Sequence, residues 1–153
     1  MTDFEAIAAG MSQAVPFAGH LGVTVTEMAE GEATALLPEA DELKNHVGSQ
    51  HAGALFTAAE NASGAAFVGA FVERMGEITP LARSAEIDYE KIARGPITAQ
   101  ATLGMPKEEA LATLDRDGKV EFPCAVVLND ADGTQVASAT VAWHVRRNKP
   151  AAA

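Results

Sequence analysis

Glu60 is the residue whose surroundings say most about chemistry. Across residues 52–72 it is the one formally charged side chain, set among Ala, Gly and Phe. An isolated carboxylate in apolar surroundings is costly unless it is paired, protonated or functional. Burial raises its pKa, which suits a general base working near neutral pH. A structural carboxylate bonded across a subunit interface, or one partly exposed, fits the same pattern. At helical spacing Gly53, Phe56, Thr57, Glu60, Ser63, Gly64 and Phe67 share one face. Small and hydroxylated residues beside Glu60 leave room for a ligand, or equally for the backbone of a partner helix.

The start of that helix is the second chemical feature. The first-turn N–H groups of a helix lack partners and carry partial positive charge. They can hold the oxyanion that develops in acyl transfer. Gly48 and Gly53 let a ligand approach the backbone, and the preceding loop carries Asn45 and His46. Other candidates are weaker. His46 and His51, five apart, match no metal signature, so no metal is expected, and no cofactor. Cys124, beside Pro123 in an apolar stretch, reads as a core thiol, and His144 as a structural residue on a strand face.

The elements that must position these groups follow from periodicity. Residues 3–15 predict a short helix ending before Pro16. Residues 20–28 and 33–38 predict two strands around the turn Glu30-Gly31-Glu32, and residues 39–49 a polar loop. A long helix is expected from about His51 to Arg74, with Ser49 as its N-cap and Gly76 past its end. It is apolar nearly all round, so it must be buried on most sides. Its length would span a bilayer, but Glu60, Asn61 and Ser63 at its centre favour burial in a soluble domain. Strands are expected at 82–93, 96–103, 119–128 and 135–146, with 105–118 a looser segment holding at most one helical turn. Polar alternation on several strands implies an antiparallel sheet with one face in water. One such sheet must wrap the long helix. The expected fold is therefore α+β, a hotdog arrangement of one domain over residues 1–150, with a short N-terminal helix. The Ala run 151–153 is the one low-complexity tract.

Bulk properties narrow the partners. The 153 residues carry a formal net charge of -10, which argues against nucleic acid and weakly against an anionic membrane. One cysteine excludes an intrachain disulfide, and the N-terminal residues lack a signal-peptide pattern, so a cytoplasmic location is expected.

The stretch from Asn45 to Glu60, NHVGSQHAGALFTAAE, resembles the hotdog thioesterases of the phenylacetate-degradation and 4-hydroxybenzoyl-CoA type. Their signature is a loop Asn or Gln, a His-Gly-Gly at the helix start, and an Asp or Glu nine residues after the His. His51 and Glu60 have that spacing, and Asn45 lies six before His51. The sequence departs where Ala52 replaces the first Gly, which keeps the N–H but adds a methyl. A Thr four residues after the carboxylate is replaced by Gly64, with Ser63 beside it. The resemblance implies hydrolysis of an acyl-CoA thioester. Glu60 would be general base or nucleophile, Ala52 N–H with Gly53 N–H the oxyanion hole, Asn45 the positioning amide, and His51 the loop's orienter. Ser63 and Gly64 would line the substrate site. Lys91 and Arg94, or the C-terminal Arg146, Arg147 and Lys149, would meet the CoA phosphates. It also implies a homodimer, or a homotetramer of dimers, with sites between subunits. A non-catalytic acyl-CoA binding or sensing domain remains an alternative. A dehydratase of the same fold lacks its motifs here, and a purely structural oligomer leaves the polar cluster unexplained.

Overall fold

The computed structural model describes residues 1–150; the Ala run 151–153 lies outside the described residues. Two helices open the chain, α1 (Phe4–Ala14) and α2 (Pro16–His20). The second begins with Pro16 at its first helical position, where the missing N–H costs nothing. It displaces the start of the first strand from the expected residue 20 to Thr24, after Gly22 turns the chain at φ +76°. Strands β1 (Thr24–Ala29) and β2 (Glu32–Leu37) form the expected hairpin. The long helix α3 runs Ala52–Phe71 and tightens into a 3-10 turn over Val72–Glu77. Strands β3 (Ile78–Tyr89), β4 (Ile97–Leu103), β5 (Lys119–Asn129) and β6 (Gln135–Arg147) follow. Helix α4 (Lys107–Asp117) occupies the segment expected to be loose.

All strand pairs are antiparallel, in the order β1-β2-β4-β5-β6-β3. The sheet curls around α3, which is the hotdog fold. Alternation along β5 is regular, with Val120, Phe122, Cys124, Val126 and Leu128 buried and their neighbours outside. Under the C-terminal half of α3 lies an aromatic stack. Phe67 meets Phe71 at 4.7 Å and Trp143 at 5.8 Å between ring centroids, and Phe122 at 6.0 Å. Such pairs add to the area they bury. The Ala-rich composition of α3 supplies helix propensity and lets the sheet close tightly. Thus α3, although long and apolar enough to cross a membrane, is buried inside this fold.

Gly69 marks the tightest approach. A Cβ there would run into the Ala29 carbonyl oxygen and lie 3.2 Å from its carbon. The obstacle is backbone and cannot swing aside. Gly69→Ala is expected to destabilise the chain by upwards of about 2 kcal/mol, measured by urea denaturation. An unchanged midpoint would mean the hairpin does not pack on α3 this closely.

The two sheet edges differ. The β1 edge is shielded by α1, and the Val25 N–H donates to Ser12 Oγ at 2.9 Å. The β3 edge is open over twelve residues and exposes Leu81 and Tyr89. A long uncovered edge is a template for pairing with another strand.

Candidate active site

The polar loop before α3 is held by its own side chains. Asn45 Oδ1 accepts the N–H groups of Val47 (3.0 Å) and Ser49 (3.1 Å), and the Asn45 N–H donates to the Ser49 carbonyl at 2.8 Å. Gly48 completes the turn at φ +75°. The expected positioning amide is thus a loop organiser through its oxygen. The next two residues clamp the loop to the segment after β3. Ser49 Oγ accepts the Ala93 N–H at 3.0 Å, and the Gln50 N–H donates to the Ala93 carbonyl at 2.8 Å. The buried Gln50 side chain donates from Nε2 to the carbonyls of Pro38 (2.9 Å) and Gly95 (3.0 Å). Sequence reasoning assigned Gln50 no part; its partners lie 12 and 45 residues away.

With Ser49 consumed by that clamp, the helix is capped by His51 rather than by Ser49 as expected. His51 Nδ1 accepts the Gly53 N–H at 2.8 Å, and its carbonyl accepts from Ala54 and Leu55. A neutral imidazole that accepts at Nδ1 carries its proton on Nε2, so the exposed edge of the ring is a donor. The Gly53 N–H is therefore spent on the cap. The Ala52 N–H, the other expected donor, has no hydrogen-bond partner among the described residues, and Ala52 is an exposed residue. Tyr89 brings the end of β3 to the same turn, its hydroxyl donating to the Ala52 carbonyl at 3.1 Å. Burial pushes the Tyr89 hydroxyl's pKa up, so it stays protonated and able to donate. Alternation placed Tyr89 on a strand but carried no signal of this contact.

Around the helix start lies a groove of about 340 Å3, lined by Asn45, Val47, Ala52, Tyr89, Lys91 and Ile92 among others. Asn45, Ala52 and Lys91 thus come together. Arg94 sits over the loop, its guanidinium 3.7 Å from where a Cβ on Gly48 would be.

Glu60 is elsewhere. It lies on the open stripe of α3 with Gly53, Phe56 and Gly64, half-buried. Its carboxylate has no hydrogen bond or ion pair among the described residues, and burial alone holds its pKa above the usual carboxylate range. Thr57, Ser63 and Phe67, expected on the same face, are turned inward. Ser63 is fully committed: its hydroxyl donates to the Glu60 carbonyl at 2.7 Å and accepts the Trp143 indole N–H at 3.0 Å. Gly64 packs on the Trp143 ring. Cys124 is buried, its thiol pushed up to about 12 by desolvation. His144 sits on the outer sheet face against Glu121 at 2.8 Å.

No curated protein matches the chain. Among solved structures it resembles a Pseudomonas aeruginosa protein of unknown function, PA5026, described as a probable thioesterase. That pair has a TM-score of 0.84 at 25% identity, over 96% of this chain and 97% of the other. It resembles the E. coli PaaI protein of the phenylacetic acid degradation operon at TM-score 0.69 and 20% identity, over 94% and 99%. A thioesterase family protein from Silicibacter pomeroyi superposes at TM-score 0.75 and 17% identity, over 95% and 100%. A family model described as a domain of unknown function, DUF4442, matches residues 4–145, and the chain belongs to that family.

Proposed function

We propose that the chain is an acyl-CoA thioesterase that works as a homodimer. The carrying observation is Glu60, a desolvated carboxylate without a partner, on a helix whose first N–H is also free. Two of the structural neighbours are described in thioesterase terms, and a third comes from the phenylacetic acid degradation operon; all support the same reading.

In the proposed reaction the Ala52 N–H binds the thioester carbonyl oxygen. Glu60 takes a proton from water as the water oxygen bonds to the carbonyl carbon. Collapse of the tetrahedral species breaks the C–S bond. The proton held by Glu60 passes to the departing sulfur, leaving a carboxylic acid and free CoA. Lys91, at the groove's mouth, would meet a phosphate, and Arg94 would brace the loop.

One chain cannot bring these groups together. Ala52 and Glu60 are eight residues apart on a helix, about 12 Å along its axis. Oxyanion donor and base must both lie about 3 Å from the reacting groups. Two copies of α3 side by side and antiparallel, crossing near exposed Phe56, would set the partner subunit's Glu60 beside Ala52. The open β3 edge and exposed Leu81, Tyr89 and Ile92 supply the surface for such pairing.

The test is thiol release from a panel of aliphatic and aryl acyl-CoAs, read with a thiol-trapping dye. Turnover is expected, with a first-order dependence on dimer in the micromolar range. Binding of acyl-CoA without any release would make the chain a sensor and end the hydrolase reading.

A further inference from the structure

An oxyanion donor works by being aimed before the substrate arrives. The Ala52 N–H has no hydrogen bond of its own among the described residues to aim it. Its direction is therefore set from behind, by whatever fixes the peptide that joins His51 to Ala52. The His51 carbonyl on that peptide accepts the N–H groups of Ala54 (2.9 Å) and Leu55 (3.1 Å), and the His51 N–H donates to the Leu43 carbonyl at 2.8 Å. One residue earlier stands Gln50, which is buried. Its Nε2 reaches the carbonyl of Pro38, just past β2, at 2.9 Å and the carbonyl of Gly95, between β3 and β4, at 3.0 Å. Its backbone N–H adds the Ala93 carbonyl at 2.8 Å. The end of β2, the β3–β4 connection and the helix start thus meet at one amide, two residues before the donor.

A second observation separates this amide from a packing residue. Gln50 Oε1 is buried, and no described residue donates to it. Such an orphan acceptor weakens a fold, and native chains rarely keep one without a reason. The other buried side-chain atom in that state among the described residues is Nδ2 of Asn61, the neighbour of Glu60. Both orphans adjoin the proposed chemistry. An apolar side chain of similar length would fill the position of Gln50 and leave no orphan. What glutamine adds is a neutral pair of N–H donors at the reach that both carbonyls need.

We propose that Gln50 is a positioning residue for the hydrolysis and acts through the Ala52 N–H. This rests on the hydrolase reading above. The two N–H donors of Gln50 tie the helix start to the end of β2 and to the β3–β4 connection, so the sheet itself aims the oxyanion donor. Without them the first turn of α3 rests on its backbone bonds alone, and the peptide between His51 and Ala52 is free to tilt. The oxyanion forms only as the reaction proceeds, so the loss falls on kcat rather than on KM.

The experiment measures kcat, KM and melting temperature for wild type, Gln50→Met, Ala52→Pro and the double variant, on the acyl-CoA that wild type hydrolyses fastest. Methionine matches glutamine in length and lacks the donors. Pro38 and Gly95 are half-buried, so water can take up their carbonyls, and the orphan acceptor is gone. The melting temperature of Gln50→Met should therefore lie within a few degrees of wild type. Its kcat is expected to fall by about 10- to 100-fold, the range for a reacting group misplaced by about 1 Å, with KM little changed. Ala52→Pro deletes the N–H through which Gln50 acts, so in that background Gln50→Met should cost nothing further. Losses that multiply would place the action of Gln50 elsewhere and overturn the proposal. Full activity of Gln50→Met would overturn it too and leave the hydrolase reading intact. Gln50→Asn keeps an amide but is one methylene too short to span both carbonyls, and it covers the case of a methionine variant that does not fold. It too should lose kcat. Activity that falls in both variants only as the folded fraction falls makes Gln50 a structural residue and overturns the proposal. If wild type releases thiol from no acyl-CoA, the hydrolase reading falls and this assignment with it.

Discussion

Glu60→Gln is expected to lower kcat for acyl-CoA hydrolysis by about a thousandfold or more while KM changes little. Loss of a general base typically costs about 10^2 to 10^4, and no second carboxylate lies on the open stripe of α3 to substitute. The amide keeps the shape of the side chain, so the loss reports chemistry. The pH profile of the wild type carries the same argument. The base acts only when ionised, and burial holds Glu60 above its ordinary 4.5. The acid limb of kcat should therefore fall at a pH higher than an exposed glutamate would give. Thiol release on a folded Glu60→Gln protein checks the first claim. Undiminished release would move the chemistry off Glu60.

The same substitution has an opposite expected effect on stability, and the sign follows from linkage. Below pH 4.5 the carboxyl is protonated folded and unfolded, and burial costs little. As pH rises past 4.5 the unfolded chain releases its proton first, and the folded state loses stability until Glu60 ionises there too. Glu60→Gln escapes that loss. Its melting temperature should match wild type near pH 4 and exceed it at pH 7. A structural carboxylate bonded across the interface would behave in reverse, because removing its charge would break the bond. Activity lost with stability gained is the mark of a site held under strain for function.

Much of this was readable from periodicity because α3 and the sheet obey it. The apolar run around Glu60 read as a helix, with the polar residues at its centre favouring burial over a membrane span, and the alternation of β4, β5 and β6 placed those strands within a residue or so of where they lie. The failures have physical reasons. The strand after α3 was expected at 82–93 from its alternation; it runs Ile78–Tyr89, and it can include Pro80 because β3 is an edge strand that can spare a donor. Helix α4 carried its signals, with Pro106 before it, Glu108 and Glu109 in its first turn and Gly118 at its end. Its few apolar positions, Ala110, Leu111 and Leu114, were too sparse to stand out beside Gly104 and Pro106. At the site, Ser49 has the stronger capping propensity. Its hydroxyl goes to Ala93, 44 residues away, and the cap passes to His51. Tyr89 was legible as a strand residue and illegible as a neighbour of Ala52. Local pattern names the groups that can do chemistry. It does not say which of their hydrogen bonds the fold has already used, and that separates the Ala52 N–H from the Gly53 N–H.

Ala52→Pro is expected to fold normally and to lose about 10^2- to 10^3-fold in kcat, the size of one oxyanion-hole donor. Ala52 is the first residue of α3, where proline is well tolerated. His51 before it already has φ -63° and ψ 141°, the extended backbone that a following proline requires. The substitution therefore deletes one N–H and leaves the helix capped, with the Gly53 N–H still on His51. A melting temperature close to wild type with low kcat would assign the oxyanion to this one donor. Full activity would show that another group holds it. The two variants together test the shared site. If Ala52 and Glu60 act from different subunits, each homodimer of Ala52→Pro or Glu60→Gln is crippled at both sites. A mixed dimer has one site missing both groups and one site complete. Random exchange of equal amounts should then restore roughly a quarter of wild-type activity from two nearly inactive proteins. If both groups act within one chain, every site in the mixture lacks one of them, and activity stays at the level of the parents. Recovery on mixing requires the helices to cross as proposed, since a pairing that kept Ala52 and Glu60 about 12 Å apart would restore nothing.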